Sequence, residues 1–261
     1  AGASMARLYH FTGVLLPETP AFSTSGRLTG RWGAMGCFST QTYKHANSGE
    51  GGLLISDDAQ AMARAILLSG SYMLYDRHRA APPPEAFADL RLTTPNVSGR
   101  MDNLRAAILR PQLRDLARQC ARWNDRYRAV EAELVATPGL TLVTRPEAED
   151  FVASSFQFLL LDWAPEAIRA VTARCAARGV ELKWFGAEEP MGFTSRYAHW
   201  QYARPEVLPQ TDAVLAGLID MRLPLTFSVA DVAQIARIIG EEVGVAAAAK
   251  ALGPVAAVGA D

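Results

Sequence analysis

Met35-Gly36-Cys37-Phe38-Ser39-Thr40-Gln41-Thr42-Tyr43-Lys44-His45, followed by Gly49-Glu50-Gly51-Gly52, is the stretch around which the chain is organised. The short apolar run Met35 to Phe38, bounded by small polar residues, predicts a buried strand that delivers Ser39 and Lys44 to a loop at its C-terminal end. Open α/β sheets place their chemistry at such ends. The glycines let the backbone turn tightly before Leu53-Leu54-Ile55 begins the next strand.

The cations sharpen this. Lys and Arg together number 26, and the only lysines are Lys44, Lys183 and Lys250. An arginine stays protonated in a protein, whereas an amine can be made neutral and attack a carbonyl. A chain that otherwise uses arginine and keeps a lysine in this loop points to a required amine. The bland alternative is a surface lysine.

Phe38-Ser39, Lys44 five residues after the serine, and Gly49-Glu50-Gly51-Gly52 beginning five residues after the lysine form three elements in register. In this the chain resembles the DegT/DnrJ/EryC1/StrS family of sugar aminotransferases, which use pyridoxal 5'-phosphate (PLP). The resemblance implies an α/β fold of the aspartate aminotransferase-like type (fold type I), with part of the large PLP-binding domain and a small α+β C-terminal domain. It implies that Lys44 is the Schiff-base (aldimine) lysine and proton carrier, and that Ser39 donates to the cofactor phosphate. His45, beside the lysine, is a candidate substrate contact. Some relatives that dehydrate sugars carry His in place of the lysine, so the presence of Lys44 favours transamination.

Composition sets outer bounds. With 261 residues and 49 % hydrophobic content the chain can bury a sizeable core in one large or two smaller domains. A net charge of −1 and a pI near 6.5 give nucleic acid no basic surface. No apolar run is long enough to span a membrane, and no secretory signal pattern is present. Cys37, Cys120 and Cys175 show no metal-ligand spacing, so no metal site is expected; they predict reduced, mostly buried thiols of a cytoplasmic protein.

Residues 1–26 fit nothing that follows. Relatives carry upstream of the lysine strand a Gly-rich phosphate turn, a stacking aromatic ring and an acid beneath the pyridinium nitrogen; the resemblance begins only near Ser25-Gly26-Arg27. A truncated copy is therefore the expectation, with domains at 27–137 (large-domain remnant and linking helices) and 138–244 (small domain), and a flexible Ala/Gly-rich tail at 245–261.

Asp57-Asp58 predicts an N-cap for a helix to about Leu68, with Ala61, Ala65 and Leu68 on one face. Ser69 to Pro95 is loop-rich; Pro82-Pro83-Pro84 argues against helix there, and His78 is expected in solvent. Arg100-Met101-Asp102-Asn103-Leu104-Arg105-Ala106-Ala107 keeps the latter half of a second family run, one that crosses a dimer interface to the partner's cofactor phosphate. The resemblance makes Arg100 the candidate for that contact, with Asn96 and Ser98 behind it, in a homodimer; the alternative for Arg100 is a plain surface charge. Apolar residues then recur at helical spacing (Leu104, Ala107, Ile108; Leu113, Leu116, Cys120, Trp123, Tyr127, Val130, Leu134), with Pro111 as a kink or a new start. The arginines between 100 and 128, interleaved with Asp102, Asp115 and Asp125, predict a solvated, salt-bridged face.

From Pro138 the period changes. Strands are predicted at Leu140 to Val143, Ser155 to Leu161, Val180 to Trp184 and Asp220 to Leu225, the last near an edge because of Pro224, with helices at Pro165 to Arg178 and Ala230 to Val243. Ile235, Ile238 and Ile239 are expected to face inward. Arg196 suits the carboxylate of a glutamate or glutamine donor, or a structural pairing with Glu188 or Glu189. Trp184, Phe185, Phe193, Tyr197, Trp200 and Tyr202 suit a small-domain core better than a sugar-stacking surface. The activity implied is transfer of an amino group from an amino acid to a keto-sugar or keto-cyclitol. The rival is an impaired remnant that binds PLP weakly or only dimerises; a sugar dehydratase would need another base at position 44.

Overall fold

The computed structural model describes residues 23–24, 27–28, 33–70, 75–145, 151–191, 196–202, 204 and 206–252. They form two units: the described residues up to Cys120 with Phe151 and Val152, and Ala121–Arg145 with the described residues from Ala153 onward. The division falls inside a helix, where the sequence carries no punctuation.

In the first unit β1 (Ser23–Thr24) pairs antiparallel with β2 (Arg27–Leu28), and β3 (Gly36–Ser39) with β4 (Gly52–Ile55). Phe38 stands opposite Leu53, Cys37 opposite Leu54 and Ser39 opposite Gly52. Residues opposite each other share a face, so Phe38 and Leu53 point one way, and Cys37, Ser39 and Leu54 the other. Phe38 is buried, but Cys37 is exposed. The expected buried thiol is thereby corrected: alternation along a half-buried strand sends it to the open face. Cys120 and Cys175 are buried, and loss of solvation pushes each thiol up to about 11.

Helix α1 (Ala59–Leu68) starts where the Asp58 carboxylate accepts the N–H groups of Gln60 and Ala61 at 2.9 and 3.1 Å. Its buried residues are Ala63, Ile66 and Leu67, not the face predicted, because Ala86, Phe87 and Leu90 pack against that side. Those partners come from the segment read as loop. A 3-10 turn, Pro84–Phe87, begins on the last proline, a position where the missing N–H is not needed.

Helix α2 (Asn103–Arg114) is capped by Asp102, and α3 (Leu116–Leu134) follows. Pro111 lies within α2; the break comes at Asp115, whose N–H still donates to the Pro111 carbonyl at 3.2 Å. In α3 the predicted stripe is buried from Leu116 through Cys120, Trp123, Tyr127 and Val130 to Leu134. In α2 only Leu109 is buried, while Leu104 and Ile108 are 72 % and 43 % exposed. Periodicity located this helix but misassigned its inner face.

The second unit is a four-stranded antiparallel sheet in the order β5 (Thr141–Leu142), β6 (Ser155–Leu159), β8 (Leu218–Arg222), β7 (Lys183–Trp184). Phe156 and Phe158 lie opposite Met221 and Ile219, and Ile219 opposite Trp184, so one face is continuously apolar and buried. Two corrections follow. The strand predicted at Asp220 to Leu225 begins at Leu218, occupies the centre, and ends before Pro224 could interrupt its ladder. A helix absent from the prediction, α5 (Pro209–Gly217), precedes it.

Helices α4 (Pro165–Ala177) and α6 (Val229–Leu252) pack on each other. α6 turns Val232, Ala236, Ile239 and Val243 fully inward, with Ile235 and Ile238 half-buried beside them. It continues to Leu252 through the alanines predicted to fray, since alanine is the strongest helix former; residues 253–261 lie outside the described set. The arginines of α3 are not all solvated. Arg126 is buried, donating to the carbonyls of Phe227 at 2.7 Å, Arg122 at 2.8 Å and Leu225 at 3.4 Å. Trp123 Nε1 donates to the Leu223 carbonyl at 3.1 Å. Side chains of one helix thus take the place of a strand partner for the segment after β8. Among the described residues no helix is long and apolar enough to cross a membrane, and no group of three or more His, Cys, Asp or Glu is placed to hold a metal ion.

Glu242 ties α6 to α4, accepting from Arg178 at 2.9 Å and Arg174 at 2.8 Å. Those hydrogen bonds, Arg178's first, hold its carboxyl below the ordinary value of 4.5. A carboxyl lowered in the folded state stabilises above its unfolded pKa, and the contribution is lost as pH falls through the folded one. We therefore expect the melting temperature to drop as pH falls below about 4.5, and Glu242→Gln to flatten that drop; calorimetry across pH 3 to 7 checks it.

Candidate functional site

Ser39 ends β3 and Gly52 begins β4; between them the chain closes a narrow lobe on itself. Thr40 N–H donates to the Gly51 carbonyl, Ser48 N–H to the Thr40 carbonyl and Thr42 N–H to the Gly49 carbonyl, each at 2.9 Å. Gly51 is required here: its φ is +130°, and a Cβ would sit 2.8 Å from Thr40 Oγ1 and 2.9 Å from Met101 Cε. Gly51→Ala is expected to cost about 1–3 kcal/mol, read by urea denaturation.

Lys44 lies half-buried at the tip, with its N–H on the Gln41 carbonyl at 2.9 Å and its own carbonyl accepting from Asn47 Nδ2 at 3.3 Å. His45 and Ala46 are buried, and Ala46 packs against Leu109, Leu116 and Cys120. The tip is thereby pinned by its apolar residue while the lysine stays partly open. Ser39 Oγ accepts the N–H of Gln41 at 3.3 Å, which leaves its hydroxyl proton to donate elsewhere.

The structure brings Ser39, Lys44 and His45 into one lobe. Asn96, Ser98 and Arg100 gather at the C-terminal end of α1. There Arg100 Nη1 donates to the Gly70 carbonyl at 2.8 Å, and Asn96 Oδ1 accepts from the N–H of Ser98 at 2.8 Å in a left-handed turn (φ of Ser98, 52°). Arg196 belongs to the second unit, its N–H on His199 Nδ1 at 3.2 Å; Glu188 pairs with Arg169 at 3.4 Å. Of the aromatics expected in the core, Trp184 is buried. Trp200 and Tyr202 are 41 % and 84 % exposed and stack on each other, and Phe193 is outside the described residues. Sequence reasoning missed Thr40, Asn47 and Gln112. Their polar groups hold the lobe, and no local pattern marks a glutamine that reaches back 65 positions.

The fold is that of PLP-dependent transferases of type I, as the likeness to solved structures shows. The aminotransferase TlmJ from Streptoalloteichus hindustanus superposes with a TM-score of 0.66 at 19 % identity, over 88 % of this chain and 56 % of that one. AtS13 from Actinomadura melliaura gives 0.65 at 22 %, over 84 % and 54 %. The E. coli GDP-4-keto-6-deoxy-D-mannose-3-dehydratase, solved with hydrated PLP, gives 0.63 at 12 %, over 84 % and 57 %. The chain thus spans little more than half the length of these structures. It belongs to the DegT/DnrJ/EryC1/StrS aminotransferase family, whose model matches residues 21–240. No curated protein matches it.

Proposed function

We propose that the chain serves a PLP-dependent aminotransferase that moves an amino group from glutamate or glutamine to a keto-sugar or keto-cyclitol. The observation that carries this is the half-buried Lys44 on a self-bonded lobe directly after Ser39, in a member of this family. The donor set fits the two reactive ends of PLP: a primary amine for the aldehyde and a free hydroxyl proton for the phosphate. When bound, PLP supplies an electron sink for the carbanion formed at the donor's α-carbon. Lys44 would hold the aldehyde and then move the proton at that carbon, and His45 would line the same lobe. Arg196 would grip the donor carboxylate with its planar fork.

Arg100, with Asn96 and Ser98, would meet the phosphate of a second copy. In such a homodimer the exposed Leu104 and Ile108 of α2 would lie in the contact. Leu104→Glu is expected to shift the sedimenting species toward monomer.

An absorbance scan with added PLP tests the function. A band that borohydride abolishes is the expected result. If no band forms, the chain keeps its kinship but not this chemistry.

A further inference from the structure

Asn47 is gripped twice from α2. Its N–H donates to Gln112 Oε1 at 3.0 Å, and its carbonyl accepts from Gln112 Nε2 at 2.7 Å. The second hydrogen on Nε2 goes to the Ile108 carbonyl at 3.0 Å, within the glutamine's own helix. The Gln112 amide is therefore fully directed: both donor positions and the acceptor are in use. Asn47 in turn holds the Lys44 carbonyl through Nδ2 at 3.3 Å. One chain of hydrogen bonds thus runs from α2 to the backbone of the lysine itself.

The geometry matters because it ties the lobe to an element outside its own two strands. The lobe's bonds at Thr40, Thr42 and Ser48 are internal. Ala46 adds an apolar contact that pins the tip without directing the orientation of its peptide units. The paired amide bonds on Asn47 fix both the position and the rotation of the peptide units three residues from the lysine, which an apolar contact alone does not.

We propose that Gln112 is a positioning residue for Lys44: its paired grip on Asn47 sets where the amine stands. The proposal rests on Lys44 being the lysine that holds PLP, and it adds a determinant outside the lobe. A misplacement of an ångström at a reacting group costs up to a hundredfold, so loosening this hold should be visible at the amine.

The chain's three lysines make the test internally controlled. The protein is treated with PLP and borohydride, and the reduced label on Lys44, Lys183 and Lys250 is quantified by peptide mass spectrometry. Hydrogen exchange is followed over residues 44–49. In Gln112→Ala the label on Lys44 should fall about tenfold relative to the other two lysines, with faster exchange across the lobe. Gln112→Glu keeps the acceptor for the Asn47 N–H but loses the donor, and should fall between. Leu67→Ala, which removes a buried contact of α1 in a core cluster away from the lobe, controls for loss of stability.

Unchanged exchange and unchanged labelling in Gln112→Ala would overturn the proposal. So would an equal loss of Lys44 label in Leu67→Ala at the same melting temperature. If wild-type Lys44 labels no better than Lys183 and Lys250, the PLP reading fails by itself. In that event the hold of Gln112 on the lobe is judged by exchange alone: faster exchange in Gln112→Ala supports it and unchanged exchange rejects it.

Discussion

On the proposed function, Lys44→Ala should abolish the borohydride-sensitive band and lower transamination by about 1,000-fold or more, the scale of a lost positioned acid and base. The protein should stay folded. The hydrogen bonds at this position are made by the Lys44 N–H and carbonyl, which alanine keeps, and the side chain is half-buried rather than core. Lys44→Arg should fail equally, because a guanidinium cannot give up its proton to attack the aldehyde. Lys183→Ala and Lys250→Ala should leave the band unchanged. Lys183 is exposed on β7, and Lys250 donates to the Asp162 carbonyl at 2.6 Å on α6. A Lys44→Ala protein that retained the band would move the chemistry to another residue.

Arg126→Ala should destabilise the second unit by about 3 kcal/mol or more, because charged hydrogen bonds are lost and the Phe227 and Leu225 carbonyls lose a donor. The effect extends beyond those bonds: Arg122, Trp123 and Arg126 together hold alternate carbonyls of the segment leading into α6. Arg126→Lys should recover little, since a single ammonium cannot reach carbonyls spread along an extended segment. Thermal melting should show a fall of roughly 6–12 °C, and a shift under about 2 °C would mean the clamp is dispensable. Trp123 lies in the same contact, so its fluorescence reports the transition.

Much of the first unit was legible. An apolar run, a glycine cluster and an acid before an alanine-rich stretch are local signals, and β3, β4 and the Asp58 cap followed from them. The spacing of Ser39 and Lys44 was legible for the same reason. α3 was read correctly because its apolar stripe continues over five turns. α2 was not, because an outward apolar stripe looks identical to an inward one until something is known to cover it. The central place of β8 was hidden as well. Pro224 argued for an edge, but it falls just beyond the strand.

The amino-acid order alone determined the family and the local elements, β3, β4 and the capped helix after them, around Ser39 and Lys44. All of these depend on residues close together along the chain. The folded molecule alone decided that Cys37 faces outward, that Arg126 is buried among carbonyls and that Gln112 takes hold of the lysine's lobe. Each depends on partners brought together from distant positions, and for such pairs no propensity or period carries information before the chain has closed.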